Sequence, residues 1–244
     1  KQLELGPILR TPGDQTAALI AFRDGPWQAA DRTLMGAAQE AWLYDHFRQS
    51  VRAGKRWQIL AQQVIVGNIR QPSEAAGWVA QDAPDYVRQR AANAAAASAV
   101  GLPAGLDSWD GYPAARHRLL AAAQSAGANL VTLSGDSHNA WAFDLTDGGH
   151  AAGVEFAGQS VTSSGLESYI PAPPAVLAAA LRRTNPDLKW VDTARRGYMA
   201  VTVTPERVDC VWRLWDSVRD PQTVMSTTHT MAVLHGSNRL ISTE

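Results

Sequence analysis

At 244 residues and 45% hydrophobic composition, the chain is long enough for one sizeable core, and residues 1–244 are expected to form a single unit. Its 22 Lys and Arg against 23 Asp and Glu give a formal charge of −1, which excludes a broad nucleic-acid-binding surface or attraction to an anionic membrane. No stretch approaches the ~20 continuous apolar residues of a membrane span, and the opening KQLELGPILRTPG lacks a signal-peptide layout, so a soluble chain is expected, any leader having been removed.

Residues 10–32, rich in Pro, Gly, Asp and Gln, read as part of an irregular N-terminal connection (1–32) to a core spanning 33–244. Thr33 is a candidate N-cap for a helix whose apolar face recurs at Met35, Gln39, Trp42, Leu43, Phe47 and Val51, ending near Gly54. RWQILAQQVIVG then reads as a buried strand, with Gln62 and Gln63 bonding loop backbone at its end. PDYVRQRAANAAAASAV suits an Ala-rich helix stopped by Gly101 and Pro103, and PAARHRLLAAAQSAG a second, with Pro113 in its first turn and Gly127 at its end. A strand follows at 129–134. This strand-helix-strand rhythm implies parallel pairing under covering helices.

Beyond it, WAFDL and AAGVEFAG flank a Thr-Asp-Gly-Gly turn and predict a hairpin. A short helix is expected near 174–184, and GYMAVTVTPERVDCVWRLW predicts a second hairpin around Thr204 to Arg207. Within it, the lone Cys210 alternates with Val208, Trp212 and Leu214 and reads as a small buried hydrophobe; a single cysteine also rules out an intrachain disulfide. The tail TVMSTTHTMAVLHGS adds a final strand. The architecture is α/β throughout.

The chemistry concentrates in Gly135-Asp136-Ser137-His138, where ligands of α/β sheets sit, just past the carboxyl end of a strand. If the segment is extended, Asp136 and His138 aim at one point and Ser137 faces away. A carboxylate oxygen with an imidazole nitrogen suits ions of the Mn, Fe or Zn kind, although such a pair also caps turns and fills polar niches. In DSWDGY, Asp107 or Asp110 caps the following helix, or Asp110 returns across the site on the long 101–112 loop.

Taken in order, MGAAQEAWL, WQILAQQVIVG, DSWDGYPAARHRLL, LSGDSHNAWAFDL, GVEFAGQSVTSSGLES and RRGYMAVTV resemble the successive blocks of the PhoD-type alkaline phosphatases, within the calcineurin-like metallophosphoesterases. The resemblance runs from about residue 33 to 215. It implies a two-sheet sandwich flanked by helices, here the C-terminal part of it, and hydrolysis of phosphate mono- or diesters by a metal-activated water. The implied cofactors are Fe3+ and Ca2+, other divalent metals being compatible, with His138 on the iron side, Asp136 on a calcium, Asp110 a further calcium contact, and Asn139 either orienting a ligand or touching phosphate, or else hydrogen-bonding within the turn. It also implies a partner, the N-terminal half with the remaining ligands, and a periplasmic or extracellular address. His46 is expected to be structural, and His117 (on a basic, solvated helix), His150, His229 and His235 to lie at the surface. The alternatives are a non-catalytic binding or assembly lobe and, disfavoured by the absence of Gly-x-Ser-x-Gly, a serine hydrolase.

Overall fold

A computed structural model describes residues 4–10, 14–79, 81–103, 105–168 and 170–243. Residues 10–32 depart from the irregular connection expected of them. α1 (Gly6–Arg10) and α2 (Gln15–Asp24) lead into a 3-10 turn at Pro26–Gln28. Asp14 starts α2 by accepting the Ala17 N–H at 3.0 Å, a cap that offsets the turn-forming composition around it. Leu19 and Phe22 then bury against Ala97, Val100 and Leu102 in a small satellite core.

α3 (Ala37–Arg52) starts three residues after its expected cap, at Gly36, and Thr33 instead accepts the Gly36 N–H at 2.9 Å and bonds Glu40. Leu43 and Phe47 are buried as expected, but Trp42 is 57% exposed and lies against the His46 ring at a tilt of 37°. Glu40 is buried beside them, and its carboxylate pairs with Arg118 at 2.8 Å.

β1 (Gln58–Ala61), α4 (Asp85–Ala99), α5 (Pro113–Ala126) and β2 (Leu130–Ser134) follow, and β1 pairs parallel with β2 as the rhythm implied. The hairpin β3 (Ala140–Asp147) and β4 (His150–Ala157) inserts β4 beside β2, also in parallel. After α6 (Pro174–Thr184), β5 (Leu188–Asp192), unforeseen in the sequence, closes the mixed sheet in the order β1-β2-β4-β3-β5. β6 (Arg196–Val203), β7 (Arg207–Trp215), β8 (Thr227–Leu234) and β9 (Leu240–Ser242) form a second, antiparallel sheet in chain order.

Strand alternation assembles the layers. On β7, Val208, Cys210, Trp212 and Leu214 all point inward and meet Val131, Ala140, Ala142, Val154 and Phe156 of the mixed sheet. Burial pushes the Cys210 thiol far above its ordinary range, as befits an inert hydrophobe. On the other face, Trp141, Phe143 and Leu145 pack under α3, α5 and α6. The chain is thus a two-sheet sandwich with its main helical layer on the mixed sheet.

Candidate metal centre

β2 ends at Ser134, whose carbonyl accepts the Gly158 N–H at 2.8 Å, and the next four residues leave the sheet. They are not extended. Ser137 N–H donates to the Gly135 carbonyl at 2.7 Å, closing a three-residue turn centred on Asp136 (φ 62°), and His138 follows with φ 63°. Two residues other than glycine in the left-handed region cost about 1–3 kcal/mol each and persist only where their surroundings hold them. The geometry expected of an extended Asp-x-His is therefore replaced by a folded one, in which Ser137 no longer faces away. It borders both cavities of the rim.

Asp136 is exposed and opens on a cavity of about 300 Å³ that it shares with Asp107, Asp110, Ser108 and Arg90. Its carboxylate takes no hydrogen bond or ion pair among the described residues. His138 is exposed on the adjoining cavity of about 260 Å³, which shares Ser137, Gln71, Arg90 and Leu166 with the first. Its Nδ1 lies 2.8 Å from the Ser164 carbonyl. A carbonyl can only accept, so Nδ1 carries the proton and the lone pair of the neutral ring resides on Nε2, the state in which an imidazole ligates a cation.

The other two candidates stand differently. Asp110 is 6% exposed, in a 3-10 turn at Trp109–Gly111, and its Oδ2 accepts the Ile69 N–H at 2.7 Å. It does not cap α5, which has no side-chain cap. Burial pushes its carboxyl up to about 7, against the Ile69 hydrogen bond and the charges of Arg116 and Arg70. Asp110 thus borders Asp136's cavity with one oxygen already committed. Asn139 is fully buried: its Oδ1 accepts the Leu166 N–H at 3.0 Å, and a Cβ on Gly165 would come within 2.6 Å of its amide. Of the roles open to it, the one seen here is an internal tie, because the turn at 136–138 aims residue 139 back into the core.

Three further residues escaped the sequence reading. Glu155, with no measurable exposure, accepts from Val66 N at 2.9 Å, Gly67 N at 2.7 Å and Ser134 Oγ at 2.7 Å. Burial raises its pKa and these bonds oppose the rise. Its signal was a lone charge inside the apolar run GVEFAG. Arg116, on the helix read as basic, is 8% exposed and donates to the Val66 carbonyl at 2.7 Å. Along the same helix Arg118 pairs with Glu40, while His117 is exposed as expected and meets Asp147 at 2.8 Å. Arg196 is 5% exposed behind the rim. Of the remaining histidines, His229 departs from its expected surface role by stacking on Trp190 at 4.2 Å.

A sequence model of PhoD-like phosphatases matches residues 9–212. The chain belongs to the PhoD-like phosphatase family. Alkaline phosphatase D of Bacillus subtilis (strain 168) is 30% identical over 203 residues, 81% of this chain and 29% of that protein. A solved structure titled "Structure of PhoD" superposes with a TM-score of 0.64 over 96% of this chain and 37% of its own, at 24% identity, which establishes the likeness of fold. The chain therefore spans about a third of the length of the PhoD relatives it matches. Among the described residues no helix is long and apolar enough to cross a membrane.

The donors present fit part of an ion cluster. One uncommitted carboxylate and one imidazole with an open Nε2 stand at the strand end, a hard and a borderline donor. Among the described residues no group of three or more His, Cys, Asp or Glu could hold a metal ion. A closed site needs donors beyond these.

Proposed function

We propose that this chain carries the second part of a metal-dependent phosphoesterase site that hydrolyses phosphate mono- or diesters. His138 holds an iron ion through Nε2, Asp136 a calcium ion, and Asp110 makes a further calcium contact through its uncommitted oxygen; other divalent ions suit the same donors. Ions so bound supply a nucleophile from water near neutral pH and offset the charge that builds on the phosphoryl and leaving oxygens. The chain's own residues do the positioning: the Ser164 carbonyl fixes the His138 tautomer, and the left-handed turn at Asp136 presents its carboxylate to the cavity. The observation that carries the reading is this pair of uncommitted donors at the end of a central parallel strand in a PhoD-like chain.

The remaining ligands belong to the N-terminal half that the family resemblance implies, and the fold offers it a place. β1 is the end strand of the mixed sheet, and beside it Trp42 and Ile59 are 57% and 43% exposed over a cavity of about 760 Å³ also lined by Leu34, Met35 and Leu60. An open apolar strand edge of this kind is a template for another strand. An exported protein, periplasmic or extracellular, is part of the same proposal.

The test is reconstitution. The chain is assayed on p-nitrophenyl phosphate and its bis ester, alone and with an N-terminal half supplied, in calcium and iron. Activity and metal uptake are expected only for the pair, and His138→Ala should abolish turnover while the chain still folds. A pair that stays inactive and takes up no metal sinks the proposal. Ser137 does not suit the serine-hydrolase alternative: its Oγ accepts the Trp141 Nε1–H at 2.8 Å and lies 3.3 Å from the Asn139 carbonyl, with no base beside it among those bonds.

A further inference from the structure

The Ser164 carbonyl fixes the state of His138 only if the loop carrying it keeps its place. Residues 160–168 form no strand, and loops of this sort hold one conformation only when something ties them down. The tie is Arg196, the first residue of β6. Its Nη1 reaches the His138 carbonyl at 2.6 Å, the Ser163 carbonyl at 2.9 Å and Ser160 Oγ at 2.9 Å. Its Nη2 reaches the Ala194 carbonyl at 2.9 Å and Glu167 Oε2 at 2.8 Å. Glu167 in turn accepts the Gly165 N–H through Oε1 at 2.9 Å.

One buried guanidinium thus grips the backbone of His138 and, by way of Ser163 and Glu167, both sides of Ser164. The hold helps a left-handed His138 persist: beside a long bond from the Ser160 N–H at 3.4 Å, its carbonyl accepts a charged donor at 2.6 Å. The geometry also explains the residue type. Acceptors on several sides of one buried group suit a planar fork of five donors and exceed what a single ammonium can reach.

We infer that Arg196, locked by Glu167, is a positioning residue for the rim: it sets the His138 backbone and the Ser164 carbonyl in the relation that keeps the proton on Nδ1 and leaves Nε2 open. The inference rests on the proposed role of His138 as a ligand, and it touches no reacting atom itself. Once Arg196 or Glu167 is weakened, the 163–166 loop is free to move, the Nδ1–H bond loses its partner, and the imidazole redistributes toward the Nε2–H tautomer, which cannot ligate through Nε2.

The test reads the tautomer directly. The metal-free chain, labelled with ¹⁵N-histidine, is examined by long-range ¹⁵N–¹H correlation above about pH 8, where free imidazoles are neutral, and His138 is assigned by its loss in His138→Gln. The native chain should show a protonated Nδ1. Arg196→Lys and Glu167→Gln should both shift His138 toward the other tautomer while the remaining histidines and the cooperative thermal transition stay in place; Glu167→Gln serves if Arg196→Lys does not fold. Zn2+ titration of the chain paired with the N-terminal half, followed at Nε2, should weaken about 10- to 100-fold in the variants. An identical His138 tautomer in the native chain and a folded variant overturns the inference, whatever zinc does. A tautomer that tracks Arg196 and Glu167 while zinc leaves Nε2 untouched upholds the inference and sinks the ligand role instead.

Discussion

Two carboxylates lie close to the end of the parallel strands and have opposite fates. Ser134 of β2 pairs with Ala157 of β4; Glu155 sits two residues before that pair and Asp136 two residues after it. The first is sealed under α5, accepts from two backbone amides and a hydroxyl, and lies in the field of Arg116. The second is exposed, and its carboxylate is uncommitted among the described residues. A buried ionisable group survives only when every donor around it is spoken for. Such a group has nothing left to offer a ligand. The rim beyond the last ladder pair is where a carboxylate can stay both charged and available, so the boundary between fold and chemistry falls within a few residues of Ser134.

The sharpest way to break this contrast is to remove the interior carboxylate. Glu155→Ala strands the Val66 and Gly67 amides and the Ser134 hydroxyl in the interior, and should cost about 3–5 kcal/mol in urea unfolding. A loss below about 1 kcal/mol would mean that water or rearranged backbone replaces it, and the interior would then differ little from the rim.

Asp110, between the two extremes, sharpens the comparison through pH. Its carboxyl is raised to about 7 in the folded chain and titrates near ~3.9 when unfolded. The folded state therefore holds its proton more tightly, so the stabilisation is fully present below about pH 4 and is lost as pH rises through about 7. The slope from this group approaches ~1.4 kcal/mol per pH unit between those limits. Glu155, also raised, adds a slope of the same sign, while Arg116 and Arg70, which face Asp110, pull its pKa the other way. Urea midpoints measured from pH 4 to 8 should fall with pH, and Asp110→Asn should flatten the fall without abolishing the share of Glu155. An unaltered slope would remove Asp110 from the balance.

A smaller effect probes the wall of the rim. A methyl group at Gly165 would lie 2.6 Å from the buried Asn139 amide, and overpacking of this kind costs about 1–3 kcal/mol. Gly165→Ala should lower the thermal midpoint and, since the neighbouring Ser164 carbonyl must shift, loosen the His138 ring. A variant as stable as the native chain would show that the 163–166 loop yields freely.

These residues also show what a sequence can carry. The alternation from Val208 to Leu214, the Pro113 and Gly127 that bracket α5, and the strand ending just before Gly135 are local patterns with one physical solution, and each was legible. So was the place of Asp136 and His138 at a strand end. Their backbone was not: the left-handed turn depends on a donor far along the chain, Arg196 lying 58 residues from His138, just as the burial of Glu155 depends on Val66, 89 residues away. Nothing local distinguishes an arginine that will be buried from one that will be solvated, which is why Arg116 and Arg196 were passed over. α2 was hidden for a different reason, since one Asp14 cap and two buried side chains outweigh a run of turn-forming residues.

The finest test asks whether the rim carboxylate supports the fold at all. Asp136→Gly removes a side chain from a backbone at φ 62°, a region glycine enters freely, and relieves about 1 kcal/mol of strain. Glycine also widens the unfolded ensemble by about 0.4–1 kcal/mol, so the two effects nearly cancel and unfolding should change by no more than about 0.5 kcal/mol. The same substitution deletes an oxygen donor that no described residue shares, and calcium uptake by the reconstituted pair should fall by at least tenfold. Stability held with calcium lost is the signature of a group kept for binding. A loss above about 1 kcal/mol would place Asp136 with Glu155 among the groups the fold consumes.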